Sequence, residues 1–427
     1  MRIPAPFVLA AVLAAVLAAV VLGAAGAPAG AQTTPSIPSN HAAVRAAMDQ
    51  LRAINPWILE RQIAICEIPA PPFKEAARAA AYQRELVALG YTSARRDSLD
   101  NVIAELRGGD GPTVMIAGHL DTVFPEGTDA TVTRSGTRMT GIGIGDDCRG
   151  LAVVLAVARV FKGQNITPRG RILFVGNVGE EGPGNLRGVR WLFEREYRGQ
   201  IDYFVSVDGV GSNVTTRAVG SHRYTITVSG PGGHSFGDFG MPNPAHALGR
   251  AIARIAELQV PAQPRTTFSV GLLRGGTSVN SIPMSTAMDI DMRSESVTAL
   301  ADLDRRVRAA VDAAIADEHR RWPNSSARLR ATYDTIGIRP TGSQSDNAPI
   351  VQVALAAGRA VGYTPRTSAS STDANLPISL GIPAVTIDGG GTGDGAHSRG
   401  EWYDDGPDGW KGPQWALLIV AALGGVR

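Results

Sequence analysis

Cysteine is almost missing from this 427-residue sequence, which has only Cys66 and Cys148. Two cysteines are too few for a thiolate zinc module, so any metal has to be held mainly by histidine and carboxylate side chains. Neither sign of charge dominates: 41 Lys and Arg against 39 Asp and Glu leave a formal charge of +2. No basic stripe points to nucleic acid, and no acidic tail points to a solvating segment. Internal repeats are absent, and low complexity is confined to the first residues. The hydrophobic fraction of 44% and charged fraction of 19% are those of an ordinary folded protein. The 50 glycines carry more information, because many fall in turns beside His, Asp and Glu.

The N-terminus reads as a targeting segment, 1–31. Arg2 supplies a small positive region, Phe7 to Leu22 is an Ala/Val/Leu run, and Ala29-Gly30-Ala31 has the small residues of a cleavage site. The alternative is an uncleaved membrane anchor, since the run approaches the length of a span. Cleavage is the expectation, leaving no stable membrane span and a mature chain that works in the periplasm or outside the cell. Two cysteines in an exported chain can pair, but sequence does not give the distance between them. Cys148 falls within the loop richest in chemical groups, and two separate thiols are expected.

A chain of this length exceeds what one core usually serves, and two domains are expected. Asn40 to Cys66 and Lys74 to Leu89 have helical spacing. Strand and helix patterns then alternate. Thr113–Ala117 is a strand, Leu151–Phe161 a helix, Arg171–Val175 a strand, Arg187–Tyr197 a helix and Tyr203–Val207 a strand. Such alternation predicts an α/β fold with a mainly parallel sheet covered by helices on both faces. From about 217 to 336 the order changes to β-α-β-β-α-β, the ferredoxin-like unit. Its parts are Tyr224–Ser229, Pro244–Leu258, Thr267–Leu273, Ala287–Arg293, Val297–Trp322 and Ala327–Tyr333. Helix and strand patterns resume at Ala348–Val361, Ala384–Ile387 and Trp415–Leu423. A first domain, 40–216 with 337–427, therefore carries an inserted α+β domain, 217–336.

The groups capable of chemistry cluster where strands end, which is where ligands gather in such sheets. His119 and Asp121 follow the strand Thr113–Ala117 two residues apart, so an extended backbone aims both the same way. A metal-bound imidazole usually gives its second N–H to a carboxylate, the place open to Asp121. Asp146 and Asp147 sit in a glycine-rich turn before a helix. Capping accounts for one of them, and a carboxylate shared between two cations for the other. Glu180 and Glu181 are adjacent after Arg171–Val175. One can ligate while the other moves the proton of an attacking water. Asp208 after Tyr203–Val207 and His397 in a glycine-rich stretch are weak signals alone. Together, two histidines and three carboxylate positions suit two zinc ions, with cobalt or manganese as substitutes.

This ordered set, from about Asn40 to the C-terminus, resembles the M20 metallopeptidase family. The resemblance implies that His119, Asp146 and Asp208 hold one metal and that Asp146, Glu181 and His397 hold the other, with Asp146 bridging. It makes Glu180 the general base and acid, and Asp121 the residue that orients His119. The inserted domain is similar to the family's lid and dimerisation domain. Its Gly232-Gly233-His234-Ser235 implies that His234 reaches the neighbouring subunit's site in a homodimer. The turn containing Asn280 and the Asp291-Met292-Arg293 strand imply substrate binding by Asn280 and Arg293. Cys148-Arg149 stands where members commonly have Lys-Gly. Asp rather than Glu at 208 leans toward the aminopeptidase or aminoacylase side. The expected activity is cleavage of an amide in a small peptide or an N-acyl amino acid. The competing expectations are a non-catalytic exported binding protein using the same cleft, and a deacylase or carbamoylase of the same fold.

Overall fold

The computed structural model describes residues 36–427. The targeting segment read at 1–31 lies outside the described residues. Among the described residues no helix is long and apolar enough to cross a membrane. The helical stretch expected from Asn40 to Cys66 is two helices, Ala42–Ala53 and Asn55–Cys66. They divide at Ile54, just before Pro56, whose missing N–H is harmless only in a first turn.

Among the described residues nine strands form the larger sheet. At its centre Arg171–Asn177, Thr113–His119, Tyr203–Val207 and Ala384–Ile387 run parallel in that spatial order. Val102–Arg107 pairs antiparallel on one side and Asn213–Ala218 on the other. The parallel strands alternate between two apolar layers. Val114, Ile116, Ile172, Phe174, Val205, Val207, Val385 and Ile387 enter one core. Met115, Ala117, Leu173, Val175, Phe204 and Ala384 enter the other. Helix Cys148–Gly163 crosses the first layer almost wholly buried, and the C-terminal helix Lys411–Gly424 lies beside it. A sheet covered on both faces cannot show the apolar–polar alternation of a half-exposed strand, which is why its strands read as continuous apolar runs.

Because side chains alternate with period two, residues 119, 208 and 388 continue the face of Met115, Phe204 and Ala384. His119 ends its strand, while Asp208 and Asp388 each follow one directly. Functional groups far apart in sequence therefore emerge side by side at the carboxyl edge of one sheet.

The second sheet is antiparallel, in the order Thr266–Gly275, Ser285–Ser294, Gly220–Ser229, Arg330–Arg339. Helices Pro244–Ala256 and Val297–Arg321 cover one face, burying Tyr224, Ile226, Val228, Met288, Ile290 and Met292. The intervening residues Arg223, Asp289, Asp291 and Arg293 occupy the other face by the same alternation. The last strand differs from expectation. It runs Arg330–Arg339 rather than Ala327–Tyr333, past a bulge at Thr335/Gly337 and past residue 336. Its later residues are paired by the ladder to Gly220–Ser229 and not marked by apolar alternation, so the pattern fades while the strand continues.

The expectation of two separate thiols is overturned. Cys66 ends one helix, Cys148 begins another, and the packing of these helices brings their Cα atoms to 5.4 Å, where the two sulfurs are bonded. That spacing lies within the usual range for a disulfide. Their 82-residue separation hid this from sequence. Replacing both cysteines with serine should lower unfolding free energy by about 2–4 kcal/mol, seen as an earlier denaturant midpoint. Peptide mapping without reductant should recover the joined peptides; two free thiols in the oxidised protein would contradict the pairing.

Candidate active site

His119 is 1% exposed, and its Nε2 lies 2.9 Å from Asp146 Oδ1. The other Asp146 oxygen lies 3.2 Å from His397 Nε2, which is also 2.9 Å from Glu181 Oε1. One carboxylate thus spans two imidazoles. Ligand atoms of His119, Asp146 and Glu181 all fall within 4.8 Å of one another. Asp208 joins Asp146, Glu180, Glu181 and His397 in lining a cavity of about 740 Å³, within the size range of small-molecule sites.

Supporting contacts fix this geometry. The carboxylate of Asp121 accepts from the backbone N–H groups of Glu180 (3.0 Å) and Glu181 (2.8 Å), locking the turn that presents both glutamates. It lies 3.6 Å from His119 Nδ1, while the Asp121 carbonyl, at 3.1 Å, is the acceptor for that nitrogen. Asp121 therefore orients His119 chiefly through its backbone and shapes the glutamate turn through its side chain. The two neighbouring aspartates divide as the sequence allowed. Asp147 caps helix Cys148–Gly163 through Gly150 N and also holds His119 N at 2.8 Å, while Asp146 faces the imidazoles.

Two supporting residues escaped the sequence reading. Glu401 accepts from the backbone N–H groups of Gly143, Gly145 and Asp146, at 2.8, 2.8 and 2.9 Å. Its place four residues after His397 in the same motif was an available signal. Arg339 ends the last strand of the second sheet. It forms a buried ion pair with Glu180 Oε1 at 2.9 Å and also donates to the Glu180 carbonyl. No local pattern marked it, since its partner is 159 residues away.

Charge is crowded here. Although burial opposes its cation, contacts with Asp121 and Asp146 hold the His119 imidazole well above its usual range. Hydrogen bonds to Asp146 and Glu181 push His397 up to about 10. Burial, reinforced by Asp146, raises Asp208 well above an ordinary carboxyl. Burial, opposed by Arg339 and reinforced by Glu181, pushes Glu180 up to about 8. Both imidazoles are drawn toward the protonated form by acids that otherwise repel one another. Nitrogen and carboxylate donors that need added positive charge are the chemistry of a divalent metal site, and the residues fit one.

Arg293 lines the same cavity, on the open face of the second sheet. His234 and Asn280 do not line it. They lie together on the exterior, where Ser235 N donates to the Asn280 carbonyl at 3.0 Å and short strands pair His234 with Ser281. His234 Nδ1 accepts from the N–H groups of Phe236 and Gly237 at 3.2 Å, leaving Nε2 as the donor.

A metal takes neutral imidazole, whereas the surrounding carboxylates shift the titration of both histidines upward in the metal-free chain. Loading zinc or cobalt near neutrality should therefore release protons, and affinity should weaken as pH falls. Calorimetry in buffers of different ionisation enthalpy measures the release; heats independent of buffer would contradict it.

The model of peptidase family M20/M25/M40 matches residues 115–411. Over 327 residues, covering 71% of this chain and 82% of the relative, the sequence is 28% identical to a succinyl-diaminopimelate desuccinylase from Ectopseudomonas mendocina. The fold is shared with the di-peptidase Dug1p from Saccharomyces cerevisiae at a TM-score of 0.69 and 16% identity, covering 89% of this chain and 98% of that one. It is also shared with a dinuclear metal-binding M20 peptidase from Bacillus subtilis at a TM-score of 0.60 and 18% identity, with coverage of 89% and 98%. The chain belongs to the M20/M25/M40 peptidase family, and it is a metal-dependent hydrolase of amide bonds.

Proposed function

We propose that the cavity hydrolyses the amide of a small peptide or an N-acyl amino acid, with Asp146 among the residues that would hold two metals and Glu180 moving the proton. The observation that carries this is the placement of Glu180 with Asp146, Glu181 and His397 in one cavity, with His119 bonded to Asp146. His119 and Asp208 would hold one metal and Glu181 and His397 the other, zinc being the best match to the donors, with cobalt or manganese as substitutes. Bound there, the metals supply Lewis acidity to the scissile carbonyl and lower the pKa of water. Arg339 holds one oxygen of Glu180, leaving the other to take the proton of the attacking water. The carbon–nitrogen bond then breaks as Glu180 returns that proton to the leaving amine. Arg293 would receive a substrate carboxylate. Deacylation is the second reading, favoured by the desuccinylase relatives.

The lid reading extends to a homodimer in which His234 and Asn280 serve the partner's site. Supporting it, Phe236, Phe239, Val279 and Met284 are exposed around His234 and Asn280, and Thr266–Gly275 leaves one strand edge open. A periplasmic or secreted location is proposed from the Phe7 to Leu22 run and from the Cys66–Cys148 pairing, which persists in oxidising compartments.

Replacing Glu180 with Gln should leave metal content, measured by atomic emission, unchanged while kcat falls by about 10²-fold or more; undiminished turnover would remove Glu180 from the mechanism. Light scattering should give twice the chain mass. Mixing inactive His234→Ala and Glu180→Gln chains should restore part of the activity, because one shared site then has both groups intact. An active, strictly monomeric enzyme would refute the role of His234 across subunits.

A further inference from the structure

One wall of the cavity carries a carboxylate with no cation beside it. Asp388 directly follows the strand Ala384–Ile387, which runs parallel to Tyr203–Val207 with Ile387 opposite Val207. Asp208 N donates to the Ile387 carbonyl at 3.0 Å, and Gly389 N to the Gly209 carbonyl at 2.9 Å. The ladder thus continues to both aspartates and sets their backbones about 4.8 Å apart across adjacent strands, on the same sheet face. Asp388 Oδ2 accepts from Asn213 N at 2.7 Å and from Asn213 Nδ2 at 3.0 Å. Among the described residues no donor is bonded to Oδ1, and no Lys, Arg or His forms an ion pair with the side chain. The wall around it is uncharged and polar: Asn213, Thr215, Ser368 and Thr386.

The lid wall has the opposite character. Arg223 and Arg293 share one partner, Asp291, at 3.0 and 2.7 Å, so two guanidinium groups face a single carboxylate. Both line the cavity. The cavity therefore holds two carboxyl groups side by side at Asp208 and Asp388 and two guanidinium groups on the lid, with the metal donors in the same space. A zwitterion matches that polarity in one direction only.

We propose that Asp388 receives the free α-ammonium group of a peptide substrate, so that the enzyme acts on short peptides with an unblocked N-terminus in preference to N-acylated amino acids. This rests on the reading of the cavity as the hydrolytic site, and it chooses between the two substrate classes left open there. An unblocked peptide brings its ammonium to the unpaired oxygen of Asp388 and its carboxylate to the lid arginines. An N-acetyl group brings no charge to Asp388. An N-succinyl group brings a second carboxylate against the acidic side chains of Asp388 and Asp208, where like charges in a partly desolvated site repel.

The test uses the full chain loaded with zinc, cobalt or manganese. A panel of dipeptides is assayed, each beside the N-acetyl and N-succinyl derivatives of its C-terminal amino acid, so that every set releases the same amine. Wild-type kcat/KM should favour the dipeptide by about 10-fold or more, the scale of a charged hydrogen bond. Asp388→Asn should reduce that preference by about 10- to 100-fold, mainly by raising KM for the dipeptide. N-succinyl substrates hydrolysed by wild type as well as dipeptides would overturn the proposal. So would an Asp388→Asn variant that lowers all three substrates equally, the result of a purely structural role. The wild-type comparison decides the matter even if the variant fails to fold. Absence of turnover on every substrate by metal-loaded protein would overturn the hydrolytic reading itself, and the role of Asp388 with it.

Discussion

Negative charge gathered in a small, partly dry space is the constraint around which the molecule is arranged. Asp146, Glu180, Glu181 and Asp208 line one cavity, with Asp121 and Asp147 buried directly behind it. Buried acids of the same sign cannot all stay ionised without compensation. In the metal-free chain the imidazoles of His119 and His397, whose affinity for protons these acids raise, and the guanidinium of Arg339 oppose that charge. Divalent cations answer the same need with more charge and with Lewis acidity, so the electrostatic difficulty of the fold and the chemistry of the family have a single origin.

Holding such a cluster open requires rigid support, and the backbone supplies it. Asp121 binds two N–H groups of the glutamate turn, Glu401 binds three of the Asp146 loop, and Asp147 ties the His119 backbone to the start of a buried helix. These carboxylates lie behind the reacting atoms and fix where the front row points, as outer contacts do in metal sites generally. The Cys66–Cys148 bond fastens the first residue of that same helix to the helix Asn55–Cys66.

Arg339 connects the two sheets. It ends the last strand of the smaller sheet, yet its guanidinium holds Glu180, which follows a strand of the larger one. Any shift of the smaller sheet is therefore felt at the glutamate, and the open face bearing Arg223 and Arg293 moves with it. Such an arrangement couples the position of the smaller sheet to the Glu180 carboxylate.

The elements with a buried face were legible in the sequence. Tyr203–Val207 and Ala384–Ile387 were found to the residue, because apolar runs bounded by turn residues carry their own signal. His119, Asp146, Glu181 and His397 were legible as well, since strand-end loops in a parallel sheet must converge. Val102–Arg107, Asn213–Ala218 and Arg366–Ser370 went unread, because strands at or near the sheet margins are short or rich in polar residues and owe their form to neighbours. The sequence by itself determined which residue types stand at the ends of strands, and with that the metal chemistry. Only the tertiary structure decided that Cys66 meets Cys148, that Arg339 meets Glu180 and that Asp388 lies beside Asp208. Each of those contacts joins segments far apart along the chain, and its geometry arises from sheet register and helix packing, which no local spacing encodes.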